Sequence, residues 1–293
     1  MTAVPIEGDI VVRRVPFEFP DDLDPVRNPG HHEWSHMLNG ASLTMPYLEP
    51  FLIATLREAA KDIEDPEAVK GFCAQEGQHY RTHRRYNEVI KANGYAGLVE
   101  VEEAMKASWD RIRTRRSLTY RLAYSAGFES MTLGVTNWLV TDRCRLFAGS
   151  DTRVASFTLW HMVEEVGHKR VAFDAYQAAC GGYWQRALGV FTGSWHVFWW
   201  SRKGCVAMLK ADGKWRNARS RLKLWGRTGS FFTAILPGML RSAMPGHDPR
   251  HEQDRPWVRE WIAGFAAADP SVAPMLDTSH PDIPVPFPHE RAA

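Results

Sequence analysis

The sequence predicts an all-α protein organised around a four-helix bundle. The first observation is that apolar side chains recur at steps of three and four residues over long stretches. The second is that capping and turn residues stand at the ends of those stretches. The third is that a helix with one lone Glu is twice followed by a helix with Glu-x-x-His, at a separation that suits a helical hairpin. The predicted bundle covers residues 36–182, with helices at 36–63, 66–93, 118–146 and 151–180.

The first two bundle helices place carboxylates in an apolar setting. Glu49 is the single charged residue between positions 37 and 56. Burying a lone carboxylate is costly unless it is paired or binds a metal, so Glu49 is a candidate metal ligand. The alternative is a solvent-facing Glu in the first turn of the helix. The second helix starts after a capping Asp65, and Glu76 and His79 lie on its apolar stripe, where two side chains three residues apart can reach one ion.

The other two bundle helices repeat this arrangement. Glu129 is the single charged residue between positions 122 and 141, and small residues beside it would admit a close partner helix or a ligand. Glu165 and His168 form the second Glu-x-x-His pair on one face of the last bundle helix. A strongly charged helix over residues 97–117 is expected to connect the two halves of the bundle.

Three further side chains are expected around these ligands. Glu164 precedes Glu165 and therefore points toward a neighbouring helix, where it is a candidate acceptor for the ring N–H of His79. A solvent-facing Glu164 is the alternative. His83 follows His79 by one helical turn and is either a core histidine, a group that supports a ligand, or a ligand. His161 shares the stripe of Glu165 and is placed with this surrounding group.

The segments outside the bundle differ from it in composition. Residues 1–35 are Pro-rich and predict an irregular arm with one short extended segment at most. Residues 183–268 predict further helices packed on the bundle, and residues 269–293 an extended tail. The aromatic run 187–200 is too short to span a membrane and predicts a buried helix. A basic segment with tryptophans at 214–227 can rest on a membrane surface or form a solvated helix face.

Composition and charge exclude several classes of protein. The chain of 293 residues is 44% hydrophobic and 24% charged, which is typical of a globular protein with a large core. Its formal net charge of +2 is too small to indicate a nucleic-acid partner. The four cysteines form no C-x-x-C pair, so neither a zinc site nor a disulfide framework is expected. The first residues lack a signal-peptide pattern, which favours a cytoplasmic location; a peripheral membrane contact and a homodimer stay open.

The candidate ligands are oxygen and nitrogen donors, a set that suits iron or manganese. Four carboxylates also balance the charge of two divalent ions. Glu76 and Glu165 are expected to bridge the two ions, which places these two residues at the centre of catalysis. The complete set of predicted metal ligands is Glu49, Glu76, His79, Glu129, Glu165 and His168.

These motifs resemble those of the ferritin-like di-iron carboxylate superfamily, which includes the ribonucleotide reductase small subunit, bacterial multicomponent monooxygenases and acyl desaturases. The Glu-Glu-x-x-His at 164–168 is similar to the Asp-Glu-x-x-His of several members. More closely, roughly residues 10–250 resemble a bacterial family labelled "predicted metal-dependent hydrolase". The motifs that carry this second resemblance lie at 45–49, 75–79, 128–129 and 165–168. The resemblance implies a ferritin-like bundle that holds two iron ions, with manganese or a mixed Fe/Mn pair as alternatives.

Three functions fit this site. The preferred one is an oxidoreductase that uses O2 and an unidentified electron donor to hydroxylate, desaturate or N-oxygenate a small apolar substrate, either lipid-like or aromatic. The second is a metal-dependent hydrolase, because two neighbouring ions can activate water. The third is iron storage, which the additional helices beyond a minimal bundle disfavour. The residues expected to form an apolar substrate pocket are Phe72, Tyr124, Phe128 and Trp160.

Overall fold

The computed structural model describes residues 10–12, 14–269, 271–280 and 282–285. Within these ranges the chain forms nine α-helices and no β-strand, which confirms the predicted all-α class. The helices are α1 (His32–Ala59), α2 (Pro66–Ala92), α3 (Leu98–Arg115), α4 (Leu118–Thr141), α5 (Arg143–Phe147), α6 (Thr152–Ala179), α7 (Tyr183–Ala211), α8 (Ala218–Ser242) and α9 (Pro256–Ala267).

Four of the helices enclose the central core. Helix α1 packs against α2 and α4 packs against α6, and contacts of α1 with α4 and of α2 with α6 join the two pairs. The core between them contains fully buried Leu48, Phe72, Leu122 and Phe157. Each pair joins one helix with a lone Glu to one helix with Glu-x-x-His, so the two predicted hairpins face each other across the core.

Side-chain caps explain where several of these helices start. The Asp65 carboxylate accepts a hydrogen bond from the backbone N–H of Ala68 at 3.0 Å, as the sequence predicts for the start of α2. Ser117 caps α4, and Asp151 caps α6 by accepting from two backbone N–H groups. These caps satisfy donors that would otherwise lack a partner in the first helical turn.

Helix α1 starts four residues before its predicted position and continues through Pro46 and Pro50. Proline has no N–H, so Pro46 leaves the carbonyl of Ser42, four residues earlier, without its helical partner. The side-chain amide of Asn87 on α2 donates to that carbonyl at 3.0 Å. The defect in α1 is therefore compensated by α2, in the core of the bundle.

Helix α7 packs closely on α1 and α4 through glycine. A Cβ atom on Gly127 of α4 would lie 2.2 Å from the carbonyl oxygen of Gly189, and a Cβ on Gly189 would lie 2.1 Å from that of Ala123. A Cβ on Gly40 of α1 would likewise meet the carbonyl oxygen of Ser201 at 2.2 Å. The small residues beside Glu129 thus admit a partner helix, and that helix is α7.

The prediction that the aromatic run 187–200 is buried is wrong for one face of α7. Its glycines face the bundle, and large side chains such as Trp195, which is 58% exposed, face outward. Helix α8 lies on α4 and continues through Pro237. Among the described residues, none of the helices combines the length and the apolar character needed to cross a membrane.

The arm and the tail cover the outside of the bundle. In the arm, Phe17 packs edge-on against Phe157, and no strand forms in the described residues of 9–16. In the tail, the backbone N–H of Leu276 donates to the Ser156 hydroxyl at 2.8 Å. Both segments therefore pack on α6.

Candidate metal centre

The six predicted ligands meet in the middle of the four-helix core. Glu49 comes from α1, the pair Glu76 and His79 from α2, Glu129 from α4, and the pair Glu165 and His168 from α6. Each of these side chains belongs to a residue no more than 1% exposed. Four helices therefore each bring at least one carboxylate to one buried volume.

The ligand atoms form two overlapping groups. One atom each of Glu76, Glu129, Glu165 and His168 lie within 4.8 Å of one another, and so do atoms of Glu49, Glu76 and His79. Glu76 belongs to both groups. Glu165 Oε1 lies 3.4 Å from the Nδ1 atoms of both His79 and His168. Glu76 and Glu165 thus lie between the two groups, and their bridging of two ions stays a prediction.

Many of these buried atoms have no hydrogen-bond partner. A buried polar atom without a partner costs free energy, and a buried charge costs more. Here the unpaired atoms are directed toward one shared volume, so a bound cation would satisfy them together. The eight atoms are both oxygens of Glu49 and Glu76, one oxygen of Glu129 and of Glu165, and Nδ1 of His79 and His168.

The outer ring nitrogens of the two histidines are held by a reciprocal pair of hydrogen bonds. Nε2 of His79 lies 2.9 Å from the carboxylate of Glu164, the residue before Glu165. Nε2 of His168 lies 2.9 Å from the side-chain oxygen of Gln75, the residue before Glu76. Each Nε2–H donates, so each Nδ1 faces the cluster and is the ring atom that would bind a cation once it carries no proton.

Gln75 was missed by the sequence analysis, although a signal was present. It occupies the position in Gln75-Glu76-x-x-His79 that Glu164 occupies in the other motif. Its amide nitrogen donates to the carbonyl of Val11 in the arm at 2.9 Å, which turns its carbonyl oxygen toward the histidine. The arm therefore helps to orient one of the candidate ligands.

His161 lies closer to the cluster than its predicted surrounding position. Its Nε2 atom is 3.0 Å from Glu165 Oε1 and 3.6 Å from Glu49 Oε1. Its Nδ1 atom is 2.7 Å from Nε2 of His83, so these two histidines form a pair at the edge of the site. Potential ligand atoms of His161, His79 and Glu165 also lie within 4.8 Å of one another, close enough to bind one metal ion.

A chain of hydrogen bonds determines which nitrogen of His161 carries the proton. Asn87 donates its amide to the Ser42 carbonyl, so its oxygen accepts from the Ser42 hydroxyl at 2.7 Å. The Ser42 oxygen then accepts from Nδ1–H of His83 at 2.8 Å. Nε2 of His83 is left to accept from Nδ1–H of His161. His161 Nε2 therefore presents a lone pair to two carboxylates, an arrangement that a cation between them would stabilise.

The pKa shifts agree with neutral rings for His161 and His83 at the edge of the site and with stronger proton binding by Glu49 inside it. Burial and the charge of His79 lower the pKa of His161 to about 4, although Glu165 opposes the shift. Burial also lowers the pKa of His83 well below its usual value, with His161 adding to the effect. Burial and neighbouring carboxylates raise the pKa of Glu49 well above the usual range. A cation would replace such protons.

A cavity of about 150 Å³ adjoins the cluster. His83 and His161 line it on the cluster side, and most of the remaining lining is apolar, with Arg27 and Arg202 as the charged side chains. Of the four residues predicted to form a pocket, Phe128 lines this cavity. The other three do not: Phe72 packs on the ring of His168, Trp160 on that of His79, and Tyr124 against Phe51 and His196.

A second cluster of histidines and a carboxylate lies outside the core. His32 and His36 on α1 each place Nε2 against the same oxygen of Asp212 at the end of α7, at 2.5 Å and 2.6 Å. The Tyr95 hydroxyl donates to the other oxygen of Asp212 at 2.8 Å. These atoms are also close enough to hold a metal ion. Here, however, the contacts between the side chains are already hydrogen bonds.

An all-helical bundle that buries Glu and His side chains with unpaired ligand atoms defines the chain as a metal-dependent protein. The chain belongs to the family described as "predicted metal-dependent hydrolase", whose sequence profile matches residues 11–253. This membership confirms the closer of the two resemblances seen in the sequence. No curated protein and no solved structure shows a significant match to the chain.

Proposed function

We propose that the chain is a ferritin-like di-iron carboxylate oxidoreductase, which activates O2 to oxidise a small apolar organic substrate. Two iron ions, once bound, supply the reaction with O2. A pair of manganese ions or a mixed Fe/Mn pair is the alternative. The donor set supports this assignment, because carboxylates and imidazoles suit these metals and none of the ligand groups among the described residues contains a cysteine.

In this proposal the two groups of ligand atoms hold one ion each. Glu129 and His168 would help to hold the first ion, Glu49 and His79 would help to hold the second, and Glu76 and Glu165 would be shared between them. His161 would be an additional ligand, because its unprotonated Nε2 faces Glu49 and Glu165. Gln75 and Glu164 orient the histidines that they bind.

The observation that carries the proposed reaction is the apolar cavity against the histidine edge of the cluster. His161 lines the cavity and also lies 3.0 Å from Glu165, so a molecule in the cavity sits beside the candidate ligands. Apolar walls from Phe128, Met131 and Phe157 would exclude water and hold an aliphatic or aromatic group. Acidic residues are absent from the described lining, which disfavours a cationic substrate.

Hydrolysis is the second candidate, and the description of the family favours it. Two ions in this cluster would supply activation of water and polarise an ester or phosphoryl oxygen. The cavity favours oxidation over this alternative. Of its two charged side chains, Arg27 is already engaged with Asn39 and the carbonyl of Ser35. It is therefore not free to bind a phosphoryl group.

Anaerobic loading with Fe(II), followed by exposure to O2, tests the proposal. We expect two irons per chain, a rapid uptake of O2 and a transient visible absorption band. Two metal ions with no O2 reaction, together with turnover of a chromogenic ester or phosphoester, would show a hydrolase instead. Iron that accumulates far beyond two per chain during O2 uptake would show storage. The Glu76→Ala variant is the control, since it should lose the metal and every one of these activities.

A further inference from the structure

Helix α7 presents an apolar stripe to the outside of the protein. Five large side chains recur at helical spacing along one face, and each is between 39% and 75% exposed. The one charged side chain within this stretch, Arg186, is buried and donates to the carbonyls of Ser242 and Met244. The residues of the stripe are Trp184, Leu188, Phe191, Trp195 and Trp199.

Packing fixes this orientation of α7. On the opposite face, a Cβ atom on Gly189 or Gly193 would lie 2.1 Å or 2.8 Å from a backbone oxygen of α4, and Gly204 packs tightly on α1. Rotation of the helix to bury the tryptophans would drive their rings into the backbone of α1 and α4. The exposure of the stripe is therefore fixed by the packing of α7 on the bundle.

Helix α8 extends the same apolar surface. Phe198 of α7 packs on Phe232 of α8 with ring centres 4.7 Å apart, which joins the two helices beside the stripe. Of the 16 large hydrophobic side chains that are exposed in the described chain, ten lie between Trp184 and Met244. Those on or just after α8 are Leu222, Trp225, Leu236, Leu240 and Met244.

Basic side chains flank this surface where α7 ends and α8 begins. Between Arg202 and Arg227 the sequence has nine Lys or Arg residues and one acidic residue, Asp212, which is bound to His32 and His36. Arg202 lies 5.7 Å from the ring centre of Trp225. Long cations beside exposed tryptophans are typical of proteins that sit at the boundary between lipid and water.

We infer that the α7–α8 surface docks the protein on an anionic lipid membrane, with both helices lying in the plane of the interface. The exposed apolar stripe would enter the boundary between headgroups and acyl chains, and the basic segment would bind anionic headgroups. A symmetric contact with a second copy fits less well, because it would bring two basic segments into the same interface. The docking does not depend on the chemistry of the metal centre.

The apolar cavity reaches the same surface. Phe198, Arg202 and Phe231 of α7 and α8 line it, together with His83 and His161 on the cluster side. An apolar molecule dissolved in the membrane would therefore enter the cavity without crossing bulk water. This second step rests on the proposed oxidation of an apolar substrate, whereas the docking itself does not.

Co-sedimentation of the iron-loaded full chain with lipid vesicles tests the docking. We expect binding to vesicles of phosphatidylcholine with phosphatidylglycerol, weaker binding to phosphatidylcholine alone, and release at high salt. The double variant Trp195→Ser/Trp199→Ser should bind at least about tenfold more weakly, since two large side chains no longer enter the lipid. The control Val99→Ser/Val272→Ser alters two exposed apolar residues outside the surface and should bind like the parent chain.

Several outcomes would overturn the inference. One is an absence of binding to the anionic vesicles, and another is binding that the tryptophan variant leaves unchanged. A third is a dimer in solution that the tryptophan variant dissociates while neither protein binds vesicles, which would assign the surface to a second copy. Glu76→Ala separates this inference from the proposed function. It should lose iron and still bind anionic vesicles, so each idea can fail without the other.

Discussion

The protein contains two clusters of histidine and carboxylate side chains that differ in how their atoms are satisfied. In the bundle, Nδ1 of both His79 and His168 lacks a partner, although each ring is fully buried. At the junction of α1 and α7, the Nε2 atoms of His32 and His36 both contact Asp212. The first cluster leaves its ligand atoms unpaired, and the second uses them in hydrogen bonds.

This difference shows that residue types and proximity do not define a metal site. Both clusters bring His and carboxylate atoms within 4.8 Å of one another. A cation at Asp212 would have to displace hydrogen bonds that already stabilise the fold, whereas a cation in the bundle would displace none from these unpaired atoms. Asp212 therefore anchors the start of α1 to the end of α7, and the buried cluster is the metal centre that we propose.

The largest expected effect separates the two clusters directly. Glu76→Ala removes the carboxylate shared by both ligand groups, so we expect metal affinity to fall by more than about a hundredfold. Metal content by elemental analysis and iron-dependent thermal stabilisation measure the loss. Asp212→Asn is the matched control and should retain two ions per chain. If Asp212→Asn loses metal and Glu76→Ala retains it, the comparison is reversed.

The reciprocal hydrogen bonds around the ligand histidines give the next effect. Gln75→Ala leaves Nε2 of His168 without its acceptor and should lower metal affinity by about 10- to 100-fold. Gln75→Glu supplies an acceptor again and should recover much of the affinity. A competition titration with a metal chelator measures both variants. Equal affinities for Gln75→Ala and the parent chain would show that the bond does not orient the ligand.

A smaller effect is expected at the anchoring cluster. Asp212→Ala leaves three donors without their acceptor, and we expect it to lower the free energy of unfolding by about 2 kcal/mol. Denaturant unfolding of the metal-loaded protein measures the change, while metal analysis should still give two ions. A loss of metal without loss of stability would assign Asp212 to a metal site.

The smallest expected effect is the release of protons when the buried cluster binds metal. Burial and the charge of Glu165 raise the pKa of Glu129, and burial together with the carboxylates around it raises that of Glu49. Burial lowers the pKa of His79, but the neighbouring carboxylates of Glu164 and Glu165 outweigh it and raise the value to about 9. A metal ion must therefore compete with protons for these groups, and more strongly so as the pH falls. Metal binding should therefore release protons, and metal affinity should fall as the pH is lowered.

Calorimetric titrations in buffers with different ionisation enthalpies measure this proton release. Burial raises the pKa of Asp212, but the hydrogen bonds from His36, Tyr95 and His32 outweigh it and lower the value. Asp212 is thus ionised at neutral pH, and Asp212→Asn should release as many protons as the parent chain. An observed enthalpy of metal binding that is the same in every buffer would contradict the raised pKa values.

The six candidate ligands could be located from the sequence because a charge within an apolar helix is costly and therefore conspicuous. Glu49 and Glu129 each stood alone among apolar residues, and the Glu-x-x-His pairs fell on helical stripes. Gln75 is neutral, so it offers no buried charge as a signal, and only its position before Glu76, which matches that of Glu164 before Glu165, indicates its role. The part played by His161 depends on the order of protons in side chains from three helices, which no single segment contains.

The remaining differences are set by tertiary packing. The composition of α7 indicates a buried helix, but its orientation is decided by Gly127 and Gly189, which lie on different helices and meet only in the fold. In the same way, Asp212 meets His32 and Tyr95 from distant parts of the chain. Local periodicity predicts which face of a helix is apolar, and packing decides whether that face is covered.

The missing backbone N–H of Pro46 influences where the protons lie on the histidines at the edge of the site. Because Pro46 cannot donate to the Ser42 carbonyl, Asn87 does so, and its orientation orders the protons through Ser42 and His83. Pro46, Ser42, His83 and Asn87 are therefore coupled through one chain of hydrogen bonds. A change at Pro46 or Asn87 alters the donor to the Ser42 carbonyl and with it the proton order up to His161, so we expect substitutions at this edge of the site to have non-additive effects.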